Sequence, residues 1–108
     1  VSTDELFGPV VTVGLGGILV EVFGDVTFRV PPFSDDEARR ALAELKGFKL
    51  LEGVRGQPPA DIDALVDTVM KVQRLALDLA SEVRELDINP LIIRPRGAVA
   101  LDAVVVKQ

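Results

Sequence analysis

Glu85-Leu86-Asp87-Ile88-Asn89-Pro90-Leu91, followed thirteen residues past Asn89 by Asp102 in Ala100-Leu101-Asp102-Ala103, decides how the chain is read. Glu85, Asp87 and Asn89 alternate with Leu86, Ile88 and Pro90, which is the period of a β-strand. Acids and an amide inside two otherwise apolar strands are costly unless a cation or donor compensates them. Carboxylate and amide oxygens are also what a hard ion such as Mg²⁺ accepts. Pro90 has no N–H for a ladder, which predicts an edge position or a local bulge. Without a ligand, the same pattern describes a half-exposed hairpin with one solvated polar face.

Strand parity separates these readings. Segments 84–94 and 97–106 are joined by Arg94-Pro95-Arg96-Gly97, a proline-then-glycine turn signal between two β-rich runs. With a loop of two or four residues, Ile93 faces Ala98, and Asn89 lies opposite Asp102 on one face. A three-residue loop with Gly97 in a bulge shifts the pairing by one and sends the two side chains to opposite faces.

The chain has 108 residues, of which 48% are hydrophobic, and no cysteine, so it can bury one modest core without a staple. The absence of cysteine fits a reducing, cytoplasmic setting. A net charge of −5 and a pI near 4.6 give no footprint for a polyanion, so nucleic acid is not an expected partner. Leu6 to Val20 is uncharged, but it is only fifteen residues long and is broken by Pro9 and several glycines; it predicts neither a membrane span nor a signal peptide. The chain begins at Val1, and its one methionine, Met70, falls inside a predicted helix, so it reads as a piece of something larger. It has no histidine, so any step that needs imidazole must borrow one. The mean hydropathy of +0.33 predicts apolar surface covered by a neighbour.

No repeat or linker divides the chain, and residues 1–108 read as a single domain. Val10 to Val13 is a β-branched run that stops at Gly14-Leu15-Gly16-Gly17. Ile18 to Phe23 and Val26 to Val30 flank Gly24-Asp25 and predict a hairpin. Ser34-Asp35-Asp36-Glu37 is a capping-box signature, with Ala38, Ala41, Leu42 and Leu45 at helical spacing up to Gly47. A second helix is predicted from near Asp61, with Ile62, Leu65, Val66, Val69, Gln73 and Ala76 as its buried stripe. The sum is an α+β domain: a mostly antiparallel sheet with two helices on one face. The other face is expected to hold Asp87, Asn89, Asp102 and either Glu21 or Arg29, and to be where a missing half sits.

Gly14-Leu15-Gly16-Gly17 has the composition of a phosphate-cradling loop, but no Lys-Ser or Lys-Thr follows, and a strand is expected next; a sharp turn or bulge explains it equally. Glu21 and Arg29 are cross-strand neighbours if the intervening loop has three residues, and lie on opposite faces if it has two. As a structural pair they contribute about 0.2–1 kcal/mol; as functional groups, Arg29 holds phosphate oxygens and Glu21 orients Arg29 or a metal-bound water. Gly53-Val54-Arg55-Gly56 reads as a connection with one exposed cation. Asp35, Asp36, Asp61 and Asp63 sit near helix starts, where the macrodipole favours acids.

Taken in order, Phe7-Gly8-Pro9, Gly14-Leu15-Gly16-Gly17-Ile18, Val20-Glu21-Val22, Asp25-Val26-Thr27-Phe28-Arg29, Gly53-Val54-Arg55-Gly56 with Pro58-Pro59-Ala60-Asp61, and Glu85 to Leu91 with Leu101-Asp102-Ala103 resemble the ADP-forming acyl-CoA synthetases. More narrowly, they are similar to the second half, the C-terminal subdomain, of that family's ATP-grasp domain, the counterpart of the nucleotide-binding subunit of succinyl-CoA synthetase. The resemblance implies interconversion of acyl-CoA, ADP and phosphate with acid, CoA and ATP through an acyl phosphate and a phosphohistidine. It implies Mg²⁺ and ATP or ADP as cofactors, with Asn89 and Asp102 as metal ligands. Asp87 is implied as an acid beside the phosphohistidine, and Gly16, Gly17, Glu21 and Arg29 as the phosphate side of the cleft. The first ATP-grasp half, the CoA-binding domain and the phosphorylated histidine are not in this sequence, so they are expected as partners, an oligomer is expected, and this piece alone is expected to be inactive. An alternative stays open: a regulatory module of the same fold, for example one fused to an acetyltransferase.

Overall fold

In the computed structural model, which describes residues 1–16 and 20–108, two capped helices form where local signals put them. The Ser34 hydroxyl accepts the Glu37 N–H at 3.1 Å and starts helix α1, Asp35–Ala43, with Ala38, Ala41 and Leu42 buried. Only half of the capping box is made, because the Glu37 carboxylate turns to Arg29 and Arg40 instead of back to the cap. Asp61 caps helix α2, Ile62–Asp78, by accepting the Ala64 N–H at 3.0 Å; Leu65, Val66, Val69, Gln73 and Ala76 form its buried stripe.

Strands β1 (Ser2–Asp4), β2 (Gly8–Gly14) and β3 (Val26–Arg29) make an antiparallel sheet in the order β1-β2-β3. Strand β4 (Val83–Ile88) pairs with β7 (Ala103–Lys107), and β5 (Leu91–Ile93) pairs with β6 (Ala98–Ala100), both antiparallel. Strand β1 joins the first sheet to β4: the Leu86 N–H donates to the Val1 carbonyl at 3.0 Å, and the Thr3 hydroxyl to the Arg84 carbonyl at 2.7 Å.

The helices cover one face of this sheet, and the core between the layers is Val11, Ala38, Leu42, Leu45, Leu65, Val66 and Val69, with Leu91 and Ile93 packed against it. Leu42 and Val66 are the largest fully buried side chains, and truncating such a leucine to alanine removes about 2–5 kcal/mol. The opposite face is open. There Phe28, opposite Thr12, is 62% exposed, and Val26, opposite Gly14, is 40% exposed.

One expected element is corrected. Residues 18 and 19 lie outside the described residues, but Val20 and Glu21 are helical and Val22-Phe23 form a turn, so no strand runs into Gly24-Asp25. Strand β3 pairs with β2, not with a hairpin partner at 20–23. The physical reason lies at Asp25: its buried carboxylate accepts the Lys46 and Gly47 N–H groups at 2.7 and 2.8 Å, a long-range anchor rather than a turn residue.

Candidate functional site

The candidate site is built where the two C-terminal ladders meet. Ile88 pairs with Ala103 at the end of one ladder, and Leu91 pairs with Ala100 at the start of the next. Ile93 faces Ala98 across the four-residue turn 94–97, the even-length case. Asn89 therefore lies opposite Asp102, and the Asn89 N–H donates to the Asp102 carbonyl at 3.0 Å. Residues directly opposed in an antiparallel pair share a face. Asp87, opposite Val104 and two residues from Asn89, belongs to the same side. The irregularity predicted at Pro90 is present as a break between the ladders, with a cis Asn89-Pro90 peptide and the Leu101 N–H donating to the Pro90 carbonyl at 3.0 Å.

Asp87, Asn89 and Asp102 are all exposed, so the burial cost anticipated for idle carboxylates does not arise in this chain. One Asp102 oxygen, Oδ1, accepts the Ala103 N–H at 2.9 Å, which leaves Oδ2 for another partner. Neither Asp87 nor Asp102 has an ion-pair partner among the described residues. No group of three or more His, Cys, Asp or Glu side chains is placed to hold a metal among them either. The donor set is thus one carboxylate and one amide, both hard oxygen donors. That fits Mg²⁺, which keeps waters and phosphate oxygens in most of its positions, and does not fit a closed all-protein cage.

Among the described residues, no hydrogen bond or ion pair joins Arg29, Glu21 or Gly16 to Asn89 or Asp102. Arg29 lies opposite Val11 on the helix-covered face, where its Nε donates to Glu37 at 2.8 Å and its Nη2 to Glu44 at 2.6 Å. These bonds, to Glu44 first and Glu37 second, raise the guanidinium's already high pKa. The expected pairing of Arg29 with Glu21 is corrected accordingly: its guanidinium bonds to Glu37 and Glu44 and fastens β3 onto α1. Glu21 is exposed at the end of the helical residues. Gly16 has a φ of +77° with open space where a side chain would stand, and Gly17 lies outside the described residues. The objection that a strand follows the glycine run falls away, since helical residues follow it.

A cavity of about 50 Å³, lined by Val1, Pro9, Leu75, Leu79, Leu86 and Val105 among others, holds no ionisable side chain and lies on the helix side of β4. It is packing space, not chemistry. Asp25 is the residue that reading the sequence assigned wrongly, and the burial that distinguishes it depends on contacts about twenty residues away. No helix of the described residues is long and apolar enough to cross a membrane.

A two-layer α+β unit whose open sheet face carries an oxygen-donor pair at the strand ends defines the class: the ATP-grasp domain family matches residues 1–106, and the chain belongs to it. Within that family, it is 43% identical over 108 residues to the beta subunit of acetate–CoA ligase (ADP-forming) II of Pyrococcus furiosus, covering 98% of this chain and 46% of that protein. It is 45% identical over 106 residues to acetate–CoA ligase (ADP-forming) of Methanocaldococcus jannaschii, covering 96% of this chain and 15% of that one. Among solved structures, it superimposes with a TM-score of 0.94 and 41% identity on dinucleotide forming acetyl-coenzyme A synthetase 1 of Ca. Korarchaeum cryptofilum, solved with coenzyme A, acetyl-coenzyme A and a phosphorylated phosphohistidine segment; 99% of this chain and 47% of that one are covered. The same protein has been solved with coenzyme A and Mg-AMPPCP, its phosphohistidine segment pointing towards the nucleotide-binding site. The chain thus spans less than half the length of these relatives.

Proposed function

We propose that this chain is the second half of the ATP-grasp domain of an ADP-forming acyl-CoA synthetase, and that it contributes the metal side of the Mg-nucleotide site. The observation that carries the reading is the register that sets Asn89 opposite Asp102 on an exposed face, in a chain 43% identical to an ADP-forming acetate–CoA ligase subunit. When bound, Mg²⁺ would neutralise charge on the nucleotide's phosphates. Asn89 would offer its amide oxygen and Asp102 its free Oδ2, while Ala103 N–H steadies Oδ1. Asp87, on the same side, would sit beside a phosphohistidine delivered by another segment, accepting a hydrogen bond from the imidazole N–H. The Gly16-Gly17 backbone and Glu21 would border the phosphates, and Arg29 would hold β3 in place. The adenine pocket, the CoA-binding domain and the histidine would come from the rest of the protein or a partner subunit.

The test is nucleotide-dependent turnover of the full-length protein. Asn89→Ala and Asp102→Ala are each expected to lose about 100-fold or more in rate, the scale on which removing a preorganised electrostatic group acts. Both sites are exposed, so thermal midpoints should stay near wild type. Undiminished turnover in both variants removes the metal assignment, whereas a wild-type full-length protein without nucleotide-dependent turnover favours the regulatory module.

A further inference from the structure

Helix α2 and the metal pair are linked by one residue that the proposed function leaves without a role. Strands β5 and β6 form a separate two-stranded arm whose root is the ladder break at Asn89-Pro90 and Leu101-Asp102. Its inward side chains, Leu91 and Ile93, pack against the core, while Ile92 and Val99 on the other side are exposed. At its far end, the turn is closed by the Arg94 N–H donating to the Gly97 carbonyl at 3.0 Å. Asp61 grips both sides of that turn: its own N–H donates to the Arg94 carbonyl at 2.7 Å, and its Oδ2 accepts the Gly97 N–H at 2.7 Å. Its other oxygen, Oδ1, caps α2 through Ala64. The approach to Asp61 is itself fixed, since Ala60 N–H donates to the Leu51 carbonyl at 2.8 Å and Gly53 packs where a Cβ would meet the Gln57 carbonyl at 2.7 Å.

We propose that Asp61 is a positioning residue for the Asn89–Asp102 pair: by clamping the tip of the β5–β6 arm to the start of α2, it sets the angle at which the two ladders meet. An arm held by two half-buried side chains and pivoting at a ladder break takes its orientation from whatever holds its other end. The ligands stand at that pivot. The Gly97 and Ala64 N–H groups hold the Asp61 carboxyl below the usual carboxylate range, so the clamp is charged at neutral pH.

The inference rests on the metal reading, and the experiment separates the two. Asp61→Asn keeps an oxygen for the helix cap but turns an NH₂ toward the Gly97 N–H, and Asp61→Ser can cap but is too short to reach the turn, so both remove the side-chain grip on Gly97, leave the backbone bond to Arg94 and spare the cap. In the full-length protein, Mn²⁺ binding in the presence of ADP, followed by electron paramagnetic resonance, should weaken about tenfold in both variants, as loss of groups that orient ligands commonly does. The KM for Mg²⁺ should rise while kcat changes less, and both variants should stay folded with a modestly lowered thermal midpoint, because the part-buried Gly97 N–H loses its acceptor. Asp102→Ala is the reference. Undiminished Mn²⁺ binding there overturns the metal assignment, and this inference with it. Loss in Asp102→Ala with wild-type binding in the Asp61 variants, or loss of folding in both of them, overturns the positioning role alone.

Discussion

The Gln73 side chain and the Phe33 backbone form a reciprocal pair: Oε1 accepts the Phe33 N–H at 2.9 Å, and Nε2 donates to the Phe33 carbonyl at 2.8 Å. Gln73 is buried on the core face of α2, and Phe33 sits between the end of β3 and the start of α1, so the pair pins the β3–α1 connection to the second helix. Gln73→Ala strands two part-buried backbone groups. It should cost about 2–3 kcal/mol, read as a lower urea midpoint at an unchanged slope.

Asp25 predicts a similar loss for a different reason. Its two oxygens satisfy the Lys46 and Gly47 N–H groups just past α1, so Asp25→Ala should cost about 2–3 kcal/mol. Asp25→Asn keeps one acceptor and should lose about half as much, a ranking that thermal unfolding of the two variants checks.

Glycine positions in the 53–56 loop should separate steric from conformational demands. Gly53, with φ at +96° and the Gln57 carbonyl 2.7 Å from where a Cβ would stand, meets both; Gly56, with φ at +78° and open space, meets only the second. Gly56→Ala should therefore cost about 1–2 kcal/mol, and Gly53→Ala clearly more, by equilibrium unfolding.

Two carboxyls contribute to the acid side of stability. Bonds to Arg29 and then Arg40 hold Glu37 below its usual range, and the Gly97 and Ala64 N–H groups do the same for Asp61. A folded-state pKa below the unfolded one means the unfolded chain binds more protons in acid. Their contribution is complete above the unfolded values and drains as pH falls through the folded ones. Unfolding midpoints should be flat near neutrality and fall below about pH 4.5, less steeply in Glu37→Gln and Asp61→Asn.

Both helices were legible because caps and apolar stripes are local: Ser34, Asp61 and the spacing from Leu65 to Ala76 are read within a few turns. The placement of Asn89 against Asp102 was legible up to one ambiguity, the length of the 94–97 turn, which the Ile93–Ala98 pairing resolves. Gly24-Asp25 misled because a short Gly-Asp pair between β-rich runs has hairpin chemistry, while the partners of Asp25 lie beyond α1. The ion-pair partners of Arg29 were not legible for a like reason: its carboxylates arrive from Glu37 on α1 and from Glu44 just past it, a pairing that no strand pattern encodes.

The even count of residues at 94–97 has an evolutionary corollary. Because a one-residue slip sends every following side chain to the other face, a lineage that deletes a single codon there would trade Asp102 for Leu101 or Ala103 opposite Asn89. Length variation at that turn should be inherited in steps of two, and a homologue with an odd-length turn should carry a compensating bulge or have abandoned the pair.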